Sequence, residues 1–301
     1  MKRLIVTGDD FGLSSAVNQA IVRAHEQGLL ASASLMVNGS AASEAVALAK
    51  AHPRLAVGLH LVLCQGRSTL PPYMIPGLAD AEGHFSESPV RAGLRYFFLR
   101  SLRPQLRREI EAQLAAFVAT GLAMSHLDGH VNVHLHPTVL AILLELAGRY
   151  GIRAMRLPLD DLRSTLALDT TRLAYKVSHA VIFGLLCRYA RGRLVGAGVR
   201  AADRVYGLLQ SGDMNEAFLL GLVPRIRDGL VEWYCHVGLP PCPELARWTP
   251  TYRHRQELEA LTSERVLKAV AAHGLVLTSY RELLEGSASP SSISRPPSTI
   301  R

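Results

Sequence analysis

The chain has 301 residues, 49% of them hydrophobic and 19% charged, which excludes wholesale disorder and a disulfide-stapled miniature and leaves ample length for a buried core. Its net charge of +8 is concentrated: Ser88 to Arg108 holds six Arg and no acid, and Thr170 to Ala202 holds five Arg, Lys176 and no acid. These blocks carry more than the whole surplus and contain no nucleic-acid-reading motif, so the reading is two local basic surfaces and no nucleic acid.

In chain order, Leu4–Thr7 reads as a first strand, its apolar run too short for a signal-peptide core, which predicts a cytoplasmic chain. Further short apolar or β-branched runs follow at Ala33–Val37, Leu55–Leu63, Met124–Leu127, Ala154–Leu157, Arg204–Leu208, Leu230–Cys235 and Leu275–Thr278. Between them, helical periodicity predicts helices at Ser14–Gln27, Ala41–Ala51, Arg103–Thr120, Pro137–Tyr150 and Arg255–His273. Strand then helix, repeated, argues for a parallel α/β architecture. Polar residues sit toward the carboxyl ends of strands spread along the chain: Asp9 and Asp10, Asn38, His60, His130 and His236. A closed barrel collects such ends on one face, whereas an open sheet separates its distant strands. The expectation is therefore α/β, a distorted (β/α) barrel with about seven parallel strands and helical insertions, as one domain over residues 1–286.

Gln65 to Ser88, rich in Pro and Gly, reads as a loop insertion near the site, and Leu162 to Val199 as a helical excursion. Residues 287–301, Ser- and Pro-rich without periodicity, read as a disordered tail. Cys64, Cys187, Cys235 and Cys242 form no C-x-x-C pair and read as reduced thiols. The longest charge-free apolar stretch, Val177 to Cys187, is well short of the roughly 20 residues that cross a bilayer.

Four elements carry chemistry. In Thr7-Gly8-Asp9-Asp10-Phe11-Gly12, two adjacent carboxylates ending an apolar strand are costly without a cation nearby, although Asp before Ser14 and Ser15 is also a helix-cap pattern. In His126-Leu127-Asp128-Gly129-His130, continuing to His134 and His136, residues 126, 128 and 130 share one face if the strand persists. One ligand supported by a neighbouring His and Asp explains that density. His60 stands alone in the apolar Gly58-Leu59-His60-Leu61. Asp10, His60 and His130 together make a carboxylate and two imidazoles, a set that suits Mg²⁺ or Zn²⁺ with positions left for water and substrate. His236, ending a late strand, is placed to act as an acid or base opposite. The same ligand count also describes a non-haem iron oxygenase, but that chemistry does not require an adjacent base such as Asp9.

The GDDFG start, the GLH strand, the H-L-D-G-H-x-x-x-H block before Pro137, the late Cys235-His236 and the closing Thr278-Ser279-Tyr280-Arg281 together resemble the YdjC-like carbohydrate deacetylases over roughly residues 2 to 285. Tyr206-Gly207-Leu208-Leu209-Gln210-Ser211-Gly212 and the basic insertion before it resemble the hopanoid-biosynthesis-associated branch. The resemblance implies a barrel, a divalent metal held by Asp10, His60 and His130, Asp9 as base, His236 as acid, and removal of an N-acetyl group from an N-acetylglucosamine-type sugar, either the head of a hopanoid glycolipid or a soluble chitooligosaccharide. His126, Asp128, Asn38 and His134 would support the site or meet substrate. Relatives often carry His at Asn132, an amide that cannot move a proton. A lipid-binding accessory protein on the same barrel is the non-catalytic alternative, and it would predict a decayed site. The basic blocks, residues 91–108 and 172–200, mix aromatic and apolar side chains with Arg and Lys, as peripheral contact with the inner membrane surface requires; helices with a solvated basic edge are the plainer reading.

Overall fold

The computed structural model describes residues 1–285, and the tail expected over 287–301 lies outside the described residues. Seven parallel strands form one curled sheet: β1 (Lys2–Phe11), β2 (Ser32–Leu35), β3 (Ala56–Leu61), β4 (Leu127–Gly129), β5 (Arg204–Tyr206), β6 (Gly229–Cys235) and β7 (Leu275–Thr278). They neighbour one another in the order β4-β3-β2-β1-β6-β5. One edge of β1 pairs with β6 from Lys2 to Gly8; the other takes β7 along Lys2 to Ile5 and β2 from Thr7 to Phe11. Between β4 and β5 single bridges continue the curl, Leu127 to Met155 and Ala154 to Arg200. This is the distorted barrel expected from the strand and helix rhythm.

Alternation along β1 separates two layers of core. Leu4 and Val6 join Val17, Ile21 and Ala24 of α1 (Ser15–Gln27), whereas Ile5 joins Val205, Tyr234 and Tyr280. Burial on both faces is why the strand reads as a nearly continuous apolar run. The remaining helices are α2 (Ala42–Ala51), α3 (Pro89–Phe98), α4 (Arg103–Ala119), α5 (Pro137–Tyr150), α6 (Leu162–Leu168), α7 (Leu173–Gly196), α8 (Glu216–Leu222), α9 (Pro243–Trp248), α10 (His254–Thr262), α11 (Glu264–Ala272) and α12 (Tyr280–Glu285).

Several elements differ from expectation. Ala154–Leu157 makes isolated bridges rather than a strand, because Pro158 follows directly and has no N–H to extend a ladder. The regular part of the fourth strand begins only at Leu127. The helix expected over Arg255–His273 is α10 and α11, divided at Ser263, whose extended backbone and hydroxyl cap the N–H groups of Arg265 and Val266. The Gln65–Ser88 insertion is tied down by bridges Arg67 to His84 and Ala79 to Phe85, and by the Glu109 carboxylate, which accepts the N–H groups of Thr69 and Leu70. Lys176, counted in the basic surface, is fully buried and donates to Asp169 at 2.8 Å. All four cysteines are unpaired and buried. Among the described residues no helix is long and apolar enough to cross a membrane.

Candidate functional site

The two adjacent carboxylates reach the same centre through an irregularity in β1. Alternation places Ile5, Thr7 and Asp9 on one side, where Thr7 Oγ1 donates to Glu232 at 2.8 Å. It would send Asp10 with Leu4 and Val6 toward the helices. Instead the pairing of β1 with β2 shifts register between Gly8 and Phe11, and Asp10 adopts φ +63°. Bulges of this kind re-aim side chains beside functional sites, and Asp tolerates the left-handed region better than most residues. The Asp10 carboxylate thereby meets His130 Nδ1 at 2.9 Å and His60 Nε2 at 3.3 Å. The helix-cap alternative fails, because Ser14 caps α1 through the Val17 N–H.

The cation that the carboxylate pair requires is Arg156, which is fully buried. Its Nη1 and Nη2 donate to Oδ2 and Oδ1 of Asp9, each at 2.8 Å, Nη1 also reaches Asp128 Oδ2 at 2.8 Å, and Nε donates to Glu232 Oε1 at 3.0 Å. Tyr280 completes the set, donating its hydroxyl to Glu232 Oε2 at 2.6 Å. Burial disfavours the guanidinium charge, but Asp128, Asp9 and Glu232 outweigh it and hold Arg156 protonated.

His60 donates Nδ1–H to Asp128 Oδ1 at 2.7 Å, which turns Nε2 toward Asp10. Such a carboxylate behind an imidazole is the usual way a ligating His is oriented. The ligand atoms of Asp10, His60 and His130 lie within 4.8 Å of one another, and His130 Nε2 is buried without a hydrogen-bond partner. Two imidazoles and a carboxylate so gathered fit a divalent ion. Asp9, His60 and Asp128 are equally close together, but there the guanidinium of Arg156 already bridges the two carboxylates. Excess negative charge marks the whole cluster: burial works against the His60 imidazolium, yet Asp128 and Asp10 lift it to about 10.

Three further residues of the His-rich block and its surroundings serve as support. Ser34 spends its hydroxyl hydrogen on Asp128 Oδ2 at 2.7 Å, so it accepts from His126 Nε2 at 3.0 Å. Burial drives His126 down to about 3 and keeps it neutral, stacked 4.4 Å from Tyr280. Gly58 allows this placement, since a Cβ there would lie 2.5 Å from the His126 ring. His134, lowered to about 4 by burial, hydrogen-bonds through Nε2 to the Arg156 carbonyl at 2.9 Å and so fixes the segment that carries the guanidinium. Asn38 stands apart, donating to the Arg67 carbonyl at 2.5 Å; with His84, Glu244 and Trp248 it lines a cleft beside Leu13 and Val62.

His236 follows β6, its ring edge-on to Tyr234 and Tyr252 at 5.7 and 5.0 Å, with Nδ1 lacking a partner. Enclosure lowers its pKa, while Asp10 and Asp9 act in the opposite sense. Glu257 Oε2 accepts the His236 N–H, and burial pushes that carboxyl up to about 7. Asn132 and Val131 have φ of +55° and +49° directly after His130. Sequence reading missed Arg156, Glu232, Ser34 and the role of Tyr280. The signal was available for the first two, a lone charge inside an apolar run, Ala154–Leu157 and Leu230–Cys235.

Relatives share this chain's sequence across nearly its whole length. A carbohydrate deacetylase of Geobacillus stearothermophilus is 33% identical over 92% of this chain and 96% of its own, and one of Vibrio cholerae is 32% identical over 94% and 96%. A carbohydrate deacetylase of Brevibacillus brevis is 45% identical over half of this chain and 57% of its own. Among solved structures, a candidate cellobiose-phosphate cleavage protein of Enterococcus faecalis superposes with TM-score 0.72 at 25% identity, over 94% of this chain and 98% of that one. Residues 3–272 match the YdjC-like protein family, and the chain belongs to it.

Proposed function

We propose that the chain is a metal-dependent carbohydrate N-deacetylase. The observation that carries this reading is the convergence of Asp9, Asp10, His60 and His130, with His236 near enough to feel both Asp charges, in a chain whose relatives are carbohydrate deacetylases. Asp10, His60 and His130 would hold the divalent ion, Mg²⁺ or Zn²⁺, which when bound polarises an acetamide carbonyl and acidifies water. Arg156 grips both Asp9 oxygens and fixes the carboxylate plane, so that Asp9 accepts the proton from the attacking water at a defined position. Expulsion of an amine needs a proton on the leaving nitrogen. His236, with Nδ1 free of any partner, is the donor on this reading. Asn132 takes no part in proton transfer, having no titrating group. An intact site is what an accessory protein without activity would not keep.

The finer reading is that the acceptor is an N-acetylglucosamine-type sugar at the head of a membrane lipid of the hopanoid class, approached by a cytoplasmic protein in peripheral contact through residues 91–108 and 172–200. Asn38, Glu244 and Trp248 would then line the approach of the sugar. The test is acetate release from N-acetylglucosaminyl substrates, soluble and lipid-linked, with metal content measured on the same preparation. Acetate from the lipid-linked substrate supports the finer reading; acetate from soluble oligosaccharide alone restricts the enzyme to soluble acceptors. Release from neither rejects deacetylation.

A further inference from the structure

Two helices present their apolar sides outward. α3 buries Ala92 and Tyr96 and exposes Val90, Leu94, Phe97 and Phe98, the last at 69%. α7 buries Lys176, Cys187, Ala190 and Leu194 on one side and exposes Val177, Val181, Ile182 and Leu185 on the other, the last at 65%. A helix lying on a protein in water normally turns a polar face outward, so contiguous apolar stripes on the outer face mark an interaction surface. Both helices pack against the turns of His130–Leu135 that carry a candidate ligand. His136, just after those turns, hydrogen-bonds to the Gly93 carbonyl of α3 at 3.0 Å, and Val131 beside His130 is itself 38% exposed.

Charge selects the occupant. Arg91 and Arg100 at α3, and Arg188 and Arg193 on α7, are exposed, and neither basic block contains an acid. A second copy docked through the same face would set these rows against each other with no carboxylate to answer them. We infer that α3 and α7 form a docking surface for an anionic lipid bilayer, with the apolar side chains at the headgroup boundary and the arginines against lipid phosphates. α7 is not apolar enough to span, so it lies along the surface. The inference rests on the lipid-linked reading of the substrate and adds its geometry: docking brings the His130 turns toward the lipid that bears the sugar.

The experiment is co-sedimentation of the full chain with vesicles of phosphatidylcholine containing increasing phosphatidylglycerol. Binding should rise with the anionic fraction and fall with salt, and Arg188→Gln should weaken it about fivefold. Phe98→Ser combined with Leu185→Ser should abolish it while leaving acetate release from a soluble N-acetylglucosamine oligosaccharide unchanged, which shows that the double variant is folded. Binding indifferent to lipid charge and salt, or unaltered in the double variant, overturns the inference. So does a dimer in solution that the double variant dissolves. Vesicle binding without deacetylation of any substrate would sustain the docking surface and reject the proposed activity instead.

Discussion

Arg156 and Asp9 form a two-point ion pair, both contacts at 2.8 Å, in which neither side chain has more than a trace of exposure. Because Arg156 also serves Asp128 and Glu232, its removal leaves Asp9 and Glu232 without their cation and Asp128 with His60 alone. Breaking a buried pair on one side costs about 3–5 kcal/mol. Arg156→Gln should therefore lower stability by at least that order in urea denaturation, and Arg156→Lys should lose activity while remaining folded, because a point charge cannot grip two oxygens. An Arg156→Lys protein with full turnover would remove the positioning role.

His130→Ala should lose bound metal and acetate release together, since it deletes one of the three proposed ligands. Elemental analysis of the folded variant decides the matter: full occupancy contradicts the assignment. Chelation of the unmodified protein should abolish activity and re-addition of a divalent ion should restore it.

Asp9→Asn should retain the ion and lose kcat by about 10²–10⁴-fold, with a smaller change in KM. Stability will also fall, because the amide weakens the contact with Arg156. Kinetics and metal content must therefore be read on protein shown to be folded. Normal turnover in that variant excludes Asp9 as base.

Glu257 supplies a pH signature. Burial raises its carboxyl to about 7, so the folded chain holds this proton more tightly than the unfolded chain does. Its contribution to stability is then fully present below the unfolded value, near 4.5, and is lost as pH rises toward 7. The stability difference between wild type and Glu257→Gln should shift by about 3 kcal/mol between pH 4 and pH 8, wild type losing ground at the higher pH. Parallel pH curves for the two proteins would show that Glu257 ionises normally.

The barrel was legible in the sequence because strands buried on both faces and amphipathic helices leave distinct periodicities. Asp10, His60 and His130 were legible because polar residues at strand ends are conspicuous in apolar surroundings. What the sequence concealed depends on contacts between distant segments. Arg156 and Glu232 lie 76 residues apart and acquire meaning only when the bridge at Met155 and strand β6 bring them together. Ser34 looks like any small strand residue until His126 and Asp128 close on it. Ser263 divides a helix that periodicity alone would continue, because a local cap competes with propagation.

The shift of register at Asp10 sets how the site can change over evolutionary time. Two neighbouring codons specify groups with separate duties, one bound to a guanidinium and the other facing the imidazoles, and a single backbone kink keeps the duties apart. A deletion of one residue here would not merely shorten the strand. It would return the segment to strict alternation and turn one carboxylate away from its partners, so a change in length here should be as damaging as the loss of a carboxylate itself.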